Sequence, residues 1–115
     1  MPVRSLTSSV LIWPNKEQVL QALKEWAAKT KAENTDLLQV GYFGSYACGD
    51  WGVGSDLDVV LILAHSDLPF EWRAAQFDLT GLPVPVDVLV YTRAEWEKLT
   101  MRKGEKRWWA EVRWE

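Results

Sequence analysis

The chain has 115 residues, 48% of them hydrophobic, and a formal charge of −3. That is the size of one domain with enough apolar material for a core, and the acidic balance argues against a general nucleic-acid binder, which wants a basic surface. A single cysteine, Cys48, rules out an internal disulfide framework, and a single histidine, His65, rules out a histidine-rich metal site within the chain. No apolar run approaches the ~20 residues needed to span a membrane. The N-terminus lacks a cationic region followed by a continuous apolar stretch, so no secretory signal and a cytoplasmic location are expected.

Residues 1–14 contain the apolar run Val10-Leu11-Ile12-Trp13, closed by Pro14, and read as an N-terminal arm packed on the body. Asn15 and Gln18 match an N-cap with a polar residue three positions later. Val19, Leu20, Leu23, Trp26 and Ala27 then recur at helical spacing, which predicts a helix over about 16–31. Leu37 to Phe43 reads as a strand, and Gly41 inside it signals close approach of a neighbour or ligand. A glycine turn at Gly44-Ser45 follows, then one or two helical turns from Tyr46 to Cys48. A strand that feeds such a turn presents backbone N–H groups suited to a phosphate, with the Ser45 hydroxyl as a further donor.

Leu57 to Leu63 is apolar on both faces beyond Asp58, so it should be a central, doubly covered strand. After the turn residues His65 to Pro69, a helix is expected over 70–78, with Asp67 a candidate cap and Pro69 near its first turn. Val84 to Tyr91 is a third strand, placed early or at an edge by Pro85 and marked by one charge, Asp87. Thr92 and Glu95 form a capping box that opens another helix. The basic stretch 101–106 interrupts it. The aromatic C-terminal segment carries Trp108, Trp109 and Trp114 and fits either a last helix or a helical turn with a short strand. Its tryptophans suit burial in a partner surface or packing on the domain's own helices, and both remain open.

Between the first two strands, residues 44–58 hold four glycines, two serines and three aspartates. Asp56 and Asp58 lie two apart in an extended segment, which puts both carboxylates on one face. Like charges that close are costly unless a cation joins them. Asp87 joins the pair if its strand neighbours that of Asp58. Three carboxylates without histidine make a hard oxygen site, suited to Mg²⁺ or Mn²⁺ rather than zinc. Beside a phosphate-gripping turn, such a site implies phosphoryl or nucleotidyl transfer. Turn capping is the plainer role for Asp56 taken alone. Cys48 has no base placed near it by the sequence, so a small buried side chain is its expected role rather than a nucleophile.

Gly44-Ser45-Tyr46-Ala47-Cys48-Gly49-Asp50 followed by Gly54-Ser55-Asp56-Leu57-Asp58-Val59 resembles the signature of the DNA polymerase beta-type nucleotidyltransferase superfamily, and within it the minimal nucleotidyltransferases. The likeness covers roughly residues 16–100. It implies an α/β (α+β) fold, a mixed β-sheet flanked by helices. It implies that Gly44, Ser45 and Ser55 bind the nucleotide, that Asp56 and Asp58 are the paired metal-binding carboxylates, and that Asp87 is the third. ATP or another NTP would be the substrate. Small domains of this type are often paired with an all-helical, HEPN-like protein encoded alongside. There they can act as antitoxin by transferring AMP to the partner, and a homodimer is the alternative. The family pattern commonly has arginine where this chain has Cys48. A guanidinium there could contact a phosphate or an acidic side chain and a thiol cannot, so the departure bears on catalytic efficiency or substrate choice.

Overall fold

The computed structural model describes residues 15–48, 56–101 and 108–115. The N-terminal arm, Ser55 and the basic 102–106 stretch lie outside these residues. Helix α1, Lys16–Glu33, starts as the sequence implies: Gln18 N–H donates to the Asn15 side chain, and the Gln18 side chain accepts from Asn15 N–H. It runs two residues past the expected end and stops where Asn34 N–H donates back to the Thr30 carbonyl. Its buried stripe is Val19, Leu23 and Ala27, a four-residue recurrence that keeps one face on the sheet.

Among the described residues, four strands follow in chain order: β1 (Leu37–Phe43), β2 (Leu57–Leu63), β3 (Val86–Thr92) and β4 (Arg113–Trp114). They form one sheet in the order β3-β2-β1-β4. β1 runs antiparallel to β2 and β4, whereas β2 and β3 are parallel. This is the mixed sheet with flanking helices that the resemblance implies. β2 is the central strand, and Leu57, Val59, Val60, Leu61, Ile62 and Leu63 are all buried. At about 1.5–3 kcal/mol for each fully buried aliphatic side chain, this strand is the largest single apolar contribution to the core. Leu57, Val59, Leu61 and Leu63 point to the face covered by α1, together with Val40, Tyr46 and Val90.

Gly41 pairs with Trp114 across the β1–β4 ladder. A Cβ at Gly41 would lie 2.6 Å from Val112 Cγ1 and 2.8 Å from Trp114 Cε3. The glycine expected to admit a close neighbour therefore admits the C-terminal segment of its own chain. That segment is a short 3₁₀ turn, Trp108–Glu111, and then β4, the second of the two readings.

The helix expected over 70–78 is shorter. α3 covers Phe70–Arg73, a 3₁₀ turn covers Ala74–Gln76, and Phe77 is extended. Asp78 explains the early stop: its carboxylate accepts from Thr80 N–H at 3.0 Å and from the Thr80 hydroxyl at 2.6 Å, a turn that competes with helix. Trp26 fixes the same corner by donating its indole N–H to the Asp78 carbonyl at 2.8 Å and meeting Phe77 edge-on. Asp67 does not cap α3. Pro69 is the N-cap residue and lends no side-chain hydrogen bond. β3 starts at Val86 rather than Val84 because Pro85 has no N–H for the ladder, while its carbonyl accepts from Leu57 N–H at 2.9 Å.

The last long helix, α4, covers Arg93–Thr100 and opens on the expected Thr92–Glu95 capping box. Arg73 ties α3, β3 and α4 together. It is buried, donates through Nε to the Leu68 carbonyl and through Nη1 to the Val90 carbonyl, and grips both Glu95 oxygens. Among the described residues no helix is long and apolar enough to cross a membrane.

Candidate active site

The end of β1, the start of β2 and the start of β3 meet at one end of the sheet. Phe43 is the cross-strand partner of Asp58, and Asp58 is in turn the partner of Asp87. Neighbouring strands lie ~4.8 Å apart and residues in register share a face, so the two carboxylates stand side by side on the face away from α1. Each is the first residue of its strand to break an apolar pattern on that face. Asp58 is half-buried between two other strands, and Asp87 is exposed on edge strand β3. Asp56, just before β2, is exposed.

The three charges are felt at Asp58. Burial pushes its carboxyl above the ordinary carboxylate range, and the neighbouring Asp87 and then Asp56 push it further. A carboxylate in this position is stabilised by a cation and destabilised by its surroundings without one.

Gly44 closes β1 with a positive φ of 74°. Its missing side chain also makes room for Asp58. A Cβ at position 44 would meet Asp58 Oδ2 at 2.3 Å. Sequence reasoning marked Gly44 for the phosphates and missed this contact. The only signal for it was the spacing itself, a tight glycine turn where β1 hands over toward β2. Ser45, half-buried, is the first residue of α2 (Ser45–Cys48), and Ala47 N–H donates to the Gly44 carbonyl at 3.0 Å. Ser55 lies outside the described residues, so Asp56, Asp58, Asp87, Gly44 and Ser45 are the sequence-derived candidates that can be placed.

Among the described residues, no three histidine, cysteine, aspartate or glutamate side chains are placed together so as to hold a metal ion, so Asp56 does not close a triad with Asp58 and Asp87 in this structure. The carboxylate group is instead an in-register pair flanked by Asp56. That suits Mg²⁺, which is usually held by one or two carboxylates and completed by waters and substrate phosphates. A groove of about 380 Å³ between α1 and residues 76–81, lined by Trp26, Lys29 and Phe77 among others, shares no lining residue with this cluster. Concavity alone would favour that groove. The carboxylate cluster is the better candidate because it concentrates charge at a perturbed group.

Beyond the carboxylates this face is covered, with Val60 and Ile62 buried and a row of aromatic rings packed over it. Phe70 packs on Tyr91 with 5.2 Å between ring centroids, Tyr91 on Trp96 at 5.6 Å, and Trp96 edge-on against Trp114 at 5.6 Å.

A nucleotidyltransferase domain model matches residues 17–109, and the chain belongs to that family. Nucleotidyl transfer is the chemistry of the class. A crystal structure from Sulfolobus solfataricus, described as that of a candidate nucleotidyltransferase, is similar in fold, with a TM-score of 0.60 and 23% identity over 72% of this chain and 75% of that one. No curated protein matches the chain significantly.

Proposed function

We propose that this protein is a Mg²⁺-dependent nucleotidyltransferase that moves AMP from ATP to a hydroxyl on a partner protein. The observation that supports it most is the in-register pair of Asp58 and Asp87 beside the Gly44 turn. Asp56, Asp58 and Asp87 would hold Mg²⁺, with Mn²⁺ as a substitute. When bound, the cation neutralises triphosphate charge and polarises the phosphate under attack. Gly44, Ser45 and Ser55 hold the triphosphate. Asp87 accepts the proton of the incoming hydroxyl. The acceptor oxygen bonds to the α-phosphorus as the bond to the β-phosphate oxygen breaks, and pyrophosphate leaves.

A protein acceptor is favoured by the exposed aromatics. Trp72 keeps 63% of its surface exposed and Trp114 keeps 40%. The expected partner is a small helical HEPN-like protein, with a second copy of this chain as the alternative. The protein is incubated with Mg²⁺, labelled ATP and the candidate acceptor, beside Asp56→Asn and Asp58→Asn. Pyrophosphate release with label on the protein, lost in both variants, is the expected result. Label on small hydroxylated amines but not on protein would replace the acceptor class. The thiol at position 48 favours a second reading, a nucleotide-binding antitoxin that neutralises its partner by complex formation. Neutralisation that survives both substitutions would select that reading.

A further inference from the structure

We infer that Gly44 is a positioning residue for Asp58, a duty separate from any contact with phosphate. The inference rests on the reading of Asp58 and Asp87 as metal ligands. A Cβ at position 44 would sit 2.3 Å from Asp58 Oδ2 and 3.3 Å from its Cγ. The absent side chain is therefore the space the carboxylate occupies.

The backbone of Asp58 cannot retreat. It is held in register between Phe43 on β1 and Asp87 on β3, and its chain neighbours Leu57 and Val59 are fully buried. Relief has to come from rotation of the Asp58 side chain. That rotation costs the fold little, since only a carboxylate at the end of a short side chain moves. It costs the site more, because the oxygen leaves its place over the β1 turn and the geometry it shares with Asp87 is lost. A side chain at position 44 thus acts on the carboxylate pair from outside it. The positive φ of 74° adds backbone strain to any non-glycine residue there, but that strain alone does not act on a metal ligand.

Mn²⁺ binding in the absence of nucleotide tests the inference, read by the electron paramagnetic resonance signal of the free ion. Gly44→Ala is expected to weaken Mn²⁺ binding about 10-fold or more, the size of effect seen when support to a metal ligand is removed. In an Asp58→Asn background the same substitution should cost no further affinity. Gly44→Asn, which tolerates the left-handed backbone better while keeping the Cβ, repeats the measurement should the alanine variant not fold. Unchanged Mn²⁺ affinity in the position-44 variants, with affinity lost in Asp58→Asn, overturns the positioning role and leaves the metal site standing. Unchanged affinity in Asp58→Asn, or no Mn²⁺ binding by the unsubstituted protein, overturns the metal-site reading and this inference with it.

Discussion

The two faces of the sheet solve opposite problems with the same strands. Toward α1, β2 presents Leu57, Val59, Leu61 and Leu63, and every one is buried. On the other face it presents Asp58 and then Val60 and Ile62, so the one charged position falls at the end where β1 and β3 also stop being apolar. The first face gains stability from uniformity. The second gives up part of that gain at one end, where like charges gather, and holds the rest together with aromatic rings. A two-residue period is enough to write both programmes into one seven-residue strand.

The largest expected effect breaks the carboxylate-bearing face alone. Asp58→Asn should lower nucleotidyl transfer by at least about 10³-fold, equivalent to several kcal/mol of lost charge stabilisation, in a label-transfer assay. Its mirror image on the face toward α1 is Leu61→Ala. Thermal or denaturant unfolding should show a loss of about 3 kcal/mol there, from lost burial and the cavity left behind. A transfer rate per folded molecule that stays near normal in Leu61→Ala, while Asp58→Asn stays folded, would sharpen the division. Equal damage to both properties in both variants would erase it.

Arg73→Met comes next, at about 2 kcal/mol of stability, because it removes charge-assisted bonds to Glu95 and a bond to the Val90 carbonyl. Solvent reaches Glu95, which keeps the cost below that of a fully buried pair.

Two carboxylates should then show opposite pH behaviour. The carboxyl of Asp58 is raised, so its contribution to stability is fully present below the ordinary carboxylate range and is lost as pH rises through its folded value. Asp58→Asn should therefore stabilise the metal-free protein at neutral pH by up to about 1 kcal/mol, and the gain should vanish in acid. Hydrogen bonds from Arg73 hold Glu95 below its ordinary range, so its contribution is present at neutral pH and lost as pH falls through the folded value. Glu95→Gln should destabilise at neutral pH and become neutral in acid. Melting curves of both variants across pH check the two signs. The smallest effect expected is a gain: Cys48→Arg should raise transfer per folded molecule several-fold in the same label-transfer assay if a guanidinium at that position assists the phosphates.

Much of this was legible in the chain because it is written in short-range rules. Apolar residues on both sides of Asp58 give a central strand, a charge inside Val84 to Tyr91 marks Asp87, and both capping boxes name their helices. What escaped depends on residues distant in sequence. Arg73 looks like a solvated charge on a short amphipathic segment, and its partners lie 17 and 22 residues later. The Gly44–Asp58 contact needs the β1–β2 register before it can be seen. The apolar spacing over 70–78 reaches past the true helix end because the Asp78–Thr80 turn, a polar local contact, competes with helix there. Asp67 looks like a cap by type, yet Ser66 is the residue whose side chain bonds locally, accepting from Leu68 N–H.

β4 has a consequence for the order of events in the molecule. It joins the sheet through two residues and through Glu115 N–H donating to the Val40 carbonyl, and its partners on β1 were made about seventy residues earlier. Closing so long a loop for so few bonds makes β4 the last strand to dock and the first to detach. The expected result is a sub-global opening in which the core of β1, β2 and β3 stays paired while the outer edge of β1 and the gap at Gly41 are uncovered. Amide exchange at Arg113 to Glu115 would report that opening well before the protein unfolds as a whole.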